Sequence, residues 1–416
     1  SAIRLRSMPR QPRVISLYSG AGGLDYGFEA AGFKTAAAVE WDANACATLR
    51  RNRSWPVFQA DIFDVSTDDM LAAGKLKRGD VEVVVGGPPC QPFSKSGYWA
   101  NGDAGRLSDP RSNTLAAYMR VIDEALPHAF LLENVGGLSY SGKNEGLELL
   151  LAQIEAINKR HRVHYRPQFR VLCAADYGVP QLRERFVMVA ARDGQAFRFP
   201  EPTHGVDSSA QLSLRTLEPY RTAWDAIGDV TPDPQEDLVL RGKWADLLPS
   251  IPEGENYLFH TDRGGGLPLF GWRRRFWSFL LKLAKDRPSW TVQAQPGPAT
   301  GPFHWSNRRL SMRELCRIQT FPDDIVISGA HNSIQRQVGN AVPSLLAEVL
   351  GLAIRRQILG HRVDAAPTLL PAKRTPVPSP EKVRQVPRKF RSLEGSHAAH
   401  PGTGKGYRAE AWSAAE

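Results

Sequence analysis

A cysteine mounted between prolines and glycines is the strongest chemical signal in the chain. Gly86-Gly87-Pro88-Pro89-Cys90-Gln91-Pro92-Phe93-Ser94 follows the apolar run Val81-Glu82-Val83-Val84-Val85, so Cys90 stands just past the carboxyl end of a predicted strand. The prolines stiffen the approach and the glycines remove bulk around it. A rigid, exposed mount of that kind suits a nucleophile, with the thiolate as its active form. Cys46 and Cys316 lack such surroundings and are expected to be buried and inert. A second apolar run, Leu131-Leu132-Glu133-Asn134-Val135, ends in a carboxylate. Glu133 is a candidate general acid, or a partner for the amino and ring nitrogens of a base; a strand-end cap is the alternative. In Gln181-Leu182-Arg183-Glu184-Arg185 the two arginines alternate and so face one side of an extended chain. Their guanidinium forks suit a carbonyl oxygen, a phosphate or a partner carboxylate.

A separate set of residues points to an adenosine-containing cofactor. Leu17-Tyr18-Ser19-Gly20-Ala21-Gly22-Gly23-Leu24 runs from a strand through a glycine-rich turn into a helix. Such a turn lets the backbone approach a ligand, and the helix start offers free N–H groups. Glu40 ends the next strand, 17 residues after Gly23, where an acidic residue would hold a ribose diol. Trp41 beside it would stack on adenine, the alternative being a core aromatic. Asp61-Ile62 ends a third candidate strand, Val57–Ile62, and Asp61 would accept from an adenine amino group. Arg336-Gln337-Val338-Gly339-Asn340-Ala341-Val342-Pro343 reads as a turn into a last helix.

These residues need a scaffold, and the patterning supplies one. Short β-rich runs at 14–19, 35–40, 81–87, 129–135 and 185–191 alternate with helical stretches. That order predicts an α/β, doubly wound, mostly parallel sheet, with ligands beyond the carboxyl ends of its strands. Residues 193–305 are rich in Gly, Pro and Trp with weak periodicity, and predict a smaller, loop-rich second domain. Regular structure returns from 306, and apolar residues at helical spacing predict a helix over 344–359. The chain therefore divides into a disordered lead-in (1–12), an α/β part (13–192), the loop-rich domain (193–305), a return to the α/β part (306–360) and a tail (361–416). The tail holds ten Lys/Arg, five Asp/Glu and seven Pro and predicts a disordered basic segment, dispensable for chemistry and for the choice of target sequence.

The chain has 416 residues, 42% of them hydrophobic and 23% charged, which suits a globular protein of two to three domains. Four cysteines with no CxxC pair argue against a disulfide scaffold and a zinc module, so no metal is expected. No apolar run of about 18 residues is present, and the basic N-terminus lacks an apolar signal core; a cytoplasmic, nucleoid-associated protein without a membrane partner is expected. The net charge of +10 fits a polyanion partner, although half of it lies in the tail.

Taken in order, the Pro-Cys loop, Glu133-Asn134-Val135, Gln181-x-Arg183-x-Arg185 and Gln337-x-Gly339-Asn340-x-Val342-Pro343 resemble the C5-cytosine DNA methyltransferase family, over about residues 13–192 and 306–359. The resemblance implies an S-adenosylmethionine-dependent enzyme acting on double-stranded DNA with Cys90 as nucleophile. It implies that Glu133 contacts N3 and the amino group of the target cytosine, that Arg185 holds O2 and that Arg183 braces the loop. Tyr18, Gly20, Gly22, Gly23, Leu24, Glu40, Trp41, Asp61, Ile62, Asn340 and Val342 would line the cofactor site. Tyr18 replaces the family's usual Phe. Residues 193–305 take the place of a target-recognition domain, in which Arg273-Arg274-Arg275 between Trp272 and Trp277 would contact phosphates or guanine edges. Lys95–Arg111 would be a mobile lid over flipped DNA. A monomer is expected, working beside a restriction endonuclease for the same site. The alternatives are a transfer RNA cytosine-5 methyltransferase and a catalytically silent DNA-binding homologue; a nicotinamide oxidoreductase is disfavoured by the missing GxGxxG.

Overall fold

A computed structural model describes residues 11–89, 114–135, 145–206, 217–272 and 276–395. Cys90, the expected lid and Arg273-Arg274-Arg275 lie outside the described residues, as do 396–416. Seven strands form one sheet: β1 (Arg13–Leu17), β2 (Lys34–Glu40), β3 (Val57–Gln59), β4 (Val83–Gly86), β5 (Ala129–Val135), β6 (Gln168–Cys173) and β7 (Glu184–Ala191). Their order is β3-β2-β1-β4-β5-β7-β6. The five strands from β3 to β5 are parallel, and β7 is antiparallel to both β5 and β6. The sheet is thus mostly parallel, as the patterning predicts. β6 is an addition that the sequence reading missed.

The period-2 rule divides each central strand between two cores. Ile15, Leu17, Val84, Phe130, Leu132 and Met188 face a core completed by α3 (Thr67–Ala73), α4 (Thr114–Ala125) and α5 (Glu145–His161). Val14, Val83, Val85, Leu131, Val187 and Val189 face the other, which receives α1 (Gly23–Ala30) and the last long helix. That helix is preceded by α6 (Ala223–Ile227), α7 (Met312–Ile318) and α8 (His331–Asn340), with α2 (Ala43–Asn52) near the start of the chain, and is therefore α9 (Ser344–Gln357). A Cβ on Gly23 would lie 2.3 Å from the Val342 carbonyl, so only glycine permits α1 to meet the chain entering α9 this closely. The α8–α9 stretch His331–Gln357 is apolar and long enough to cross a membrane, yet 89% of its most apolar window is buried inside the protein.

Residues 217–305 are loop-rich, with α6 and 3-10 turns at Ala245–Ser250 and Tyr257–His260 as their regular pieces beside the short pairing of His204–Gly205 with Glu218–Pro219. They contribute their own aromatic core: Trp244, Tyr257, Phe270 and Phe279 pack edge to face.

The expected disorder from His361 is corrected by the structure over residues 361–395. This segment is extended, largely solvent-facing, and tied down at points. Thr368 and Leu369 donate their backbone N–H groups to the buried Glu348 carboxylate of α9, and the Thr368 hydroxyl adds a third bond. Phe390 is buried and stacks on Trp244, 5.5 Å between ring centroids. Composition misleads here because a few long-range partners, rather than many apolar residues, supply the order.

Candidate active site

Both halves of the site lie along the carboxyl edge of the parallel strands. β1 and β4 are neighbours but their connections leave in opposite directions, which opens a crevice at this switch point. On the β3-β2-β1 side the turn after β1 is held by Glu40 at the end of β2. Glu40 Oε2 accepts from the Gly20 N–H at 2.7 Å, and Oε1 from the Trp41 and Asp42 N–H groups at 2.9 Å each. Burial raises the Glu40 pKa, opposed by these backbone donors. A carboxylate has about four lone-pair sites, so acceptor capacity remains for a ligand hydroxyl. Trp41 is 75% exposed, which rejects the core-aromatic alternative. Asp61 is exposed and caps a 3-10 turn by accepting from the Phe63 N–H, while Ile62 is buried. Phe63, 51% exposed, is a second open aromatic on this edge. The sequence reading stopped one residue short of it; an aromatic just past a strand-end aspartate was the available signal.

Several expected cofactor residues are packing residues in this arrangement. Leu24 and Val342 are buried in the α1–α9 core, and Gly23 abuts Val342. Gly22 caps α1, and Asn340, the exposed last residue of α8, sits on the rim. Of the expected cofactor residues, Glu40 offers a carboxylate, and Trp41, Asp61 and Asn340 are exposed.

On the β4-β5-β7 side, β7 runs antiparallel to β5, so its beginning reaches the same edge as β5's end: Val135 pairs with Arg185. This register brings Arg185 Nε to 2.7 Å from Glu133 Oε1, both groups being buried. Burial raises the Glu133 pKa, and the Arg185 and Arg183 charges oppose that rise. Burial likewise lowers the Arg185 pKa, with Glu133 opposing. Of the three partners open to the arginines, Arg185 takes a carboxylate. Arg183 takes carbonyls instead: fully buried, it donates to Gly339 at 2.5 Å, Ala341 at 3.0 Å and Val292 at 3.1 Å. It ties the end of α8 to the start of β7. β7 lies between β5 and β6 in the sheet.

The loop leading to Cys90 passes directly over Glu133. A Cβ on Gly87 would lie 2.7 Å from Glu133 Oε2, so glycine keeps the carboxylate accessible. Asn134 Nδ2 donates to the Pro88 carbonyl at 3.0 Å, and the Thr114 hydroxyl to the Pro89 carbonyl at 3.1 Å. Tyr18 in turn donates its hydroxyl to the Thr114 carbonyl at 2.8 Å. The hydroxyl that distinguishes Tyr18 from phenylalanine therefore links the glycine-rich turn to the residues flanking 90–113. Neither Thr114 nor this link was visible in the sequence. Cys46 and Cys316 are buried, and burial pushes their thiols up to about 11 and about 12, as inert core cysteines require.

A cleft of about 650 Å³ also lies between residues 292–303 and α8, lined by Asn44, Arg309, His331 and Arg336 among others; Glu133, Arg183 and Arg185 do not line it. Among the described residues, no cluster of His, Cys, Asp and Glu is suited to a metal ion.

Residues 12–356 match the model of the C-5 cytosine-specific DNA methylase family. The Type II methyltransferase M.SacI of Streptomyces achromogenes is 42% identical over 384 residues, covering 86% of this chain and 96% of that protein. The Type II methyltransferase M.AquIA of Picosynechococcus is 42% identical over 240 residues, 56% of this chain and 94% of its own length. A prophage-encoded Escherichia coli protein, described as a DNA modification methyltransferase, shares the fold at TM-score 0.60 and 20% identity, over 84% of this chain and 100% of its own.

Proposed function

The chain belongs to the C-5 cytosine-specific DNA methylase family, and we propose that it methylates C5 of a cytosine flipped out of duplex DNA, using S-adenosylmethionine and a covalent Cys90–C6 intermediate. The observation that carries this reading is the buried Glu133–Arg185 pair, 2.7 Å apart, directly beneath the Gly87–Pro89 approach to Cys90.

C5 of cytosine is a poor nucleophile. Addition of the Cys90 thiolate to C6 forms a C–S bond and moves the ring's π electrons toward C5 and N3. Glu133 donates a proton or a hydrogen bond at N3, where that charge collects. Arg185 stabilises O2 in the same way, from a site too dry for water to screen it. When the base enters, Arg185 shifts part of its interaction from Glu133 to O2, which frees the carboxyl group for N3. S-adenosylmethionine, when bound on the β3-β2-β1 side, supplies the electrophilic methyl group that the activated C5 takes up. The C5 proton then passes to water, the C5–C6 double bond re-forms, the C–S electron pair returns to Cys90, and the proton at N3 goes back to Glu133. Flipping the base costs a few kcal/mol, and Lys95–Arg111 are proposed to close over it. Arg183 acts through position: it holds the chain entering α9 against β7.

The cofactor fits the groups along this edge: an exposed indole for adenine, a carboxylate with spare acceptor capacity for the ribose diol, and a tight turn ahead of a helix. Stacking of a base on an aromatic ring is worth about 1–3 kcal/mol by alanine substitution, roughly 5- to 150-fold in affinity. Trp41→Ala should therefore weaken S-adenosylmethionine binding by that factor and leave cofactor-free DNA binding intact, because the exposed ring holds no core together. Calorimetry on the purified variant checks this; unchanged cofactor affinity would remove Trp41 from the site.

The relatives are Type II methyltransferases by name, and we propose that this chain likewise protects DNA sites that a partner endonuclease cuts. Residues 193–305 are proposed to read the site, with Trp272 and Trp277, both partly exposed, flanking the arginines that contact DNA. Bisulfite mapping of DNA from cells expressing the chain should show one methylated sequence motif. Radiolabelled methyl transfer should favour duplex DNA over transfer RNA; label on transfer RNA alone, or on neither, overturns the reading.

A further inference from the structure

We propose that residues 361–395 are a strap that fixes the recognition region against the catalytic sheet and so determines how strictly the DNA site is read; the inference rests on the function proposed above. The strap begins beyond the family match, which ends at residue 356. Its first part is sewn to the catalytic side. Arg356 of α9 donates to the Val363 carbonyl at 2.7 Å and the Ala365 carbonyl at 3.1 Å, Thr368 and Leu369 satisfy the buried Glu348, and Leu369 and Leu370 pack on the α1–α9 core. Its second part is sewn to the loop-rich region. Arg221 donates to the Pro371 carbonyl at 2.9 Å; the backbone N–H of Arg374 donates to the buried Asp225 carboxylate at 2.7 Å, and its guanidinium reaches the Asp225 carbonyl at 2.9 Å and the Asp229 carboxylate at 2.8 Å. Buried Lys285, paired with buried Glu253 at 2.5 Å, reaches Glu381 at 3.1 Å and the Ser379 carbonyl at 3.2 Å. Phe390 stacks on Trp244 inside the aromatic core, and Lys389 pairs with Asp246 beside it.

Three buried charges on different elements, Glu348, Asp225 and Lys285, thus draw bonds from one segment. Charges buried in a fold need fixed partners, so the strap's path is specified at both ends. Pro367 and Pro371 flank the crossing from the catalytic side to the loop-rich side, and Pro376, Pro378 and Pro380 follow within the second part. Proline-rich extended chain is a semi-rigid spacer, unlike a Gly/Ser tether. The loop-rich region also packs directly on the catalytic part, with Ala223, Ile227 and Val292 sharing a core with Tyr26, Leu315 and Val338; the strap is a second, semi-rigid tie across that contact, and hydrogen-bond readout of base edges depends on how firmly the region is held. These ties leave Glu40, Trp41, Glu133 and Arg185 with partners of their own. Loosening the strap should therefore spare cofactor binding and disturb discrimination.

Two full-length variants test this. Arg374→Ala/Glu381→Gln/Phe390→Ala unfastens the second part; Pro367→Gly/Pro371→Gly keeps those ties and removes the stiffness where the chain crosses from one side to the other. Methylation mapping and steady-state kinetics on the preferred duplex and on one-mismatch duplexes are the readouts, with calorimetry of S-adenosylmethionine alongside. Both variants should keep cofactor affinity within about twofold, add one-mismatch sites to the map, and lower the kcat/KM ratio of preferred over mismatched DNA about tenfold. Unchanged discrimination in both variants, with wild-type protein methylating a defined site, overturns the strap alone. So does a parallel loss of cofactor binding and of activity on every duplex, which marks the segment as merely structural. A wild-type protein that methylates no DNA overturns the proposed function and this inference together.

Discussion

Cys90→Ala should abolish methyl transfer and remove the covalent protein–DNA complex that wild-type enzyme forms on DNA carrying 5-fluorocytosine. The fluorine at C5 cannot leave as a proton does, so the reaction halts after methyl transfer with the C6–sulfur bond in place. With cofactor present, wild-type protein should give a shifted band that survives a denaturing gel. The effect is large because the thiolate is a reactant: without addition at C6, C5 has no route to the electron density it needs. The mount also argues that removal of the thiol is a local change. Pro88 and Pro89, the two residues before it, have their carbonyls held by Asn134 of β5 and Thr114 of α4. These ties involve neither the sulfur nor its neighbours downstream, so the variant should fold, bind cofactor and retain DNA affinity. Methylation by Cys90→Ala, or a band that persists in it, would sink the assignment.

How much of this was legible in the sequence depended on where each residue's partner lies along the chain. Strands β1, β2, β4, β5 and β7 announced themselves as apolar runs because their neighbours bury both faces. β6 did not: it is the edge strand, and Phe169 and Arg170 point outward, which breaks the run. Local mounts were also readable, since the Gly87-Pro88-Pro89 stiffness and the strand-end position of Glu133 are properties of a few consecutive residues. The catalytic pairing was readable only as a set of options. Arg185 meets a carboxylate because β7 is antiparallel to β5, and Arg183 meets carbonyls 156 and 158 residues away. Neither choice follows from alternation alone. Tyr18 looked like a neutral replacement for phenylalanine until its hydroxyl found Thr114, 96 residues on. Residues 361–395 were the least legible stretch. Its composition is that of a disordered segment, and its order comes from Glu348, Asp225, Lys285 and Trp244, none of which a reading of 361–395 in isolation contains. Composition measures how much apolar surface a segment brings; it does not count the unsatisfied buried groups waiting elsewhere in the fold.

Glu133→Gln should lower kcat by about 10²- to 10⁴-fold, the range typical of a general acid, while DNA affinity changes little. The amide keeps the shape and a hydrogen-bond donor toward the base, so what it loses is the transferable proton and the charge that faces Arg185. Burial raises the Glu133 pKa, with Arg185 and Arg183 opposing. A raised carboxyl pKa extends the protonated form to higher pH, and an acid is active only while it holds its proton. Wild-type kcat should therefore fall as pH rises through that value, and the limb should vanish from the residual activity of the Gln variant. The same substitution leaves the buried Arg185 guanidinium without its carboxylate at 2.7 Å. Breaking a buried pair from one side costs about 3–5 kcal/mol, so the melting temperature should drop as well. Fold and catalysis separate because kcat is read at saturating substrate on protein that is still folded, and because Arg185 finds the cytosine O2 once the base is in place. DNA affinity falling in step with kcat, or a pH limb that survives in Glu133→Gln, would make Glu133 a brace for Arg185 rather than the acid at N3.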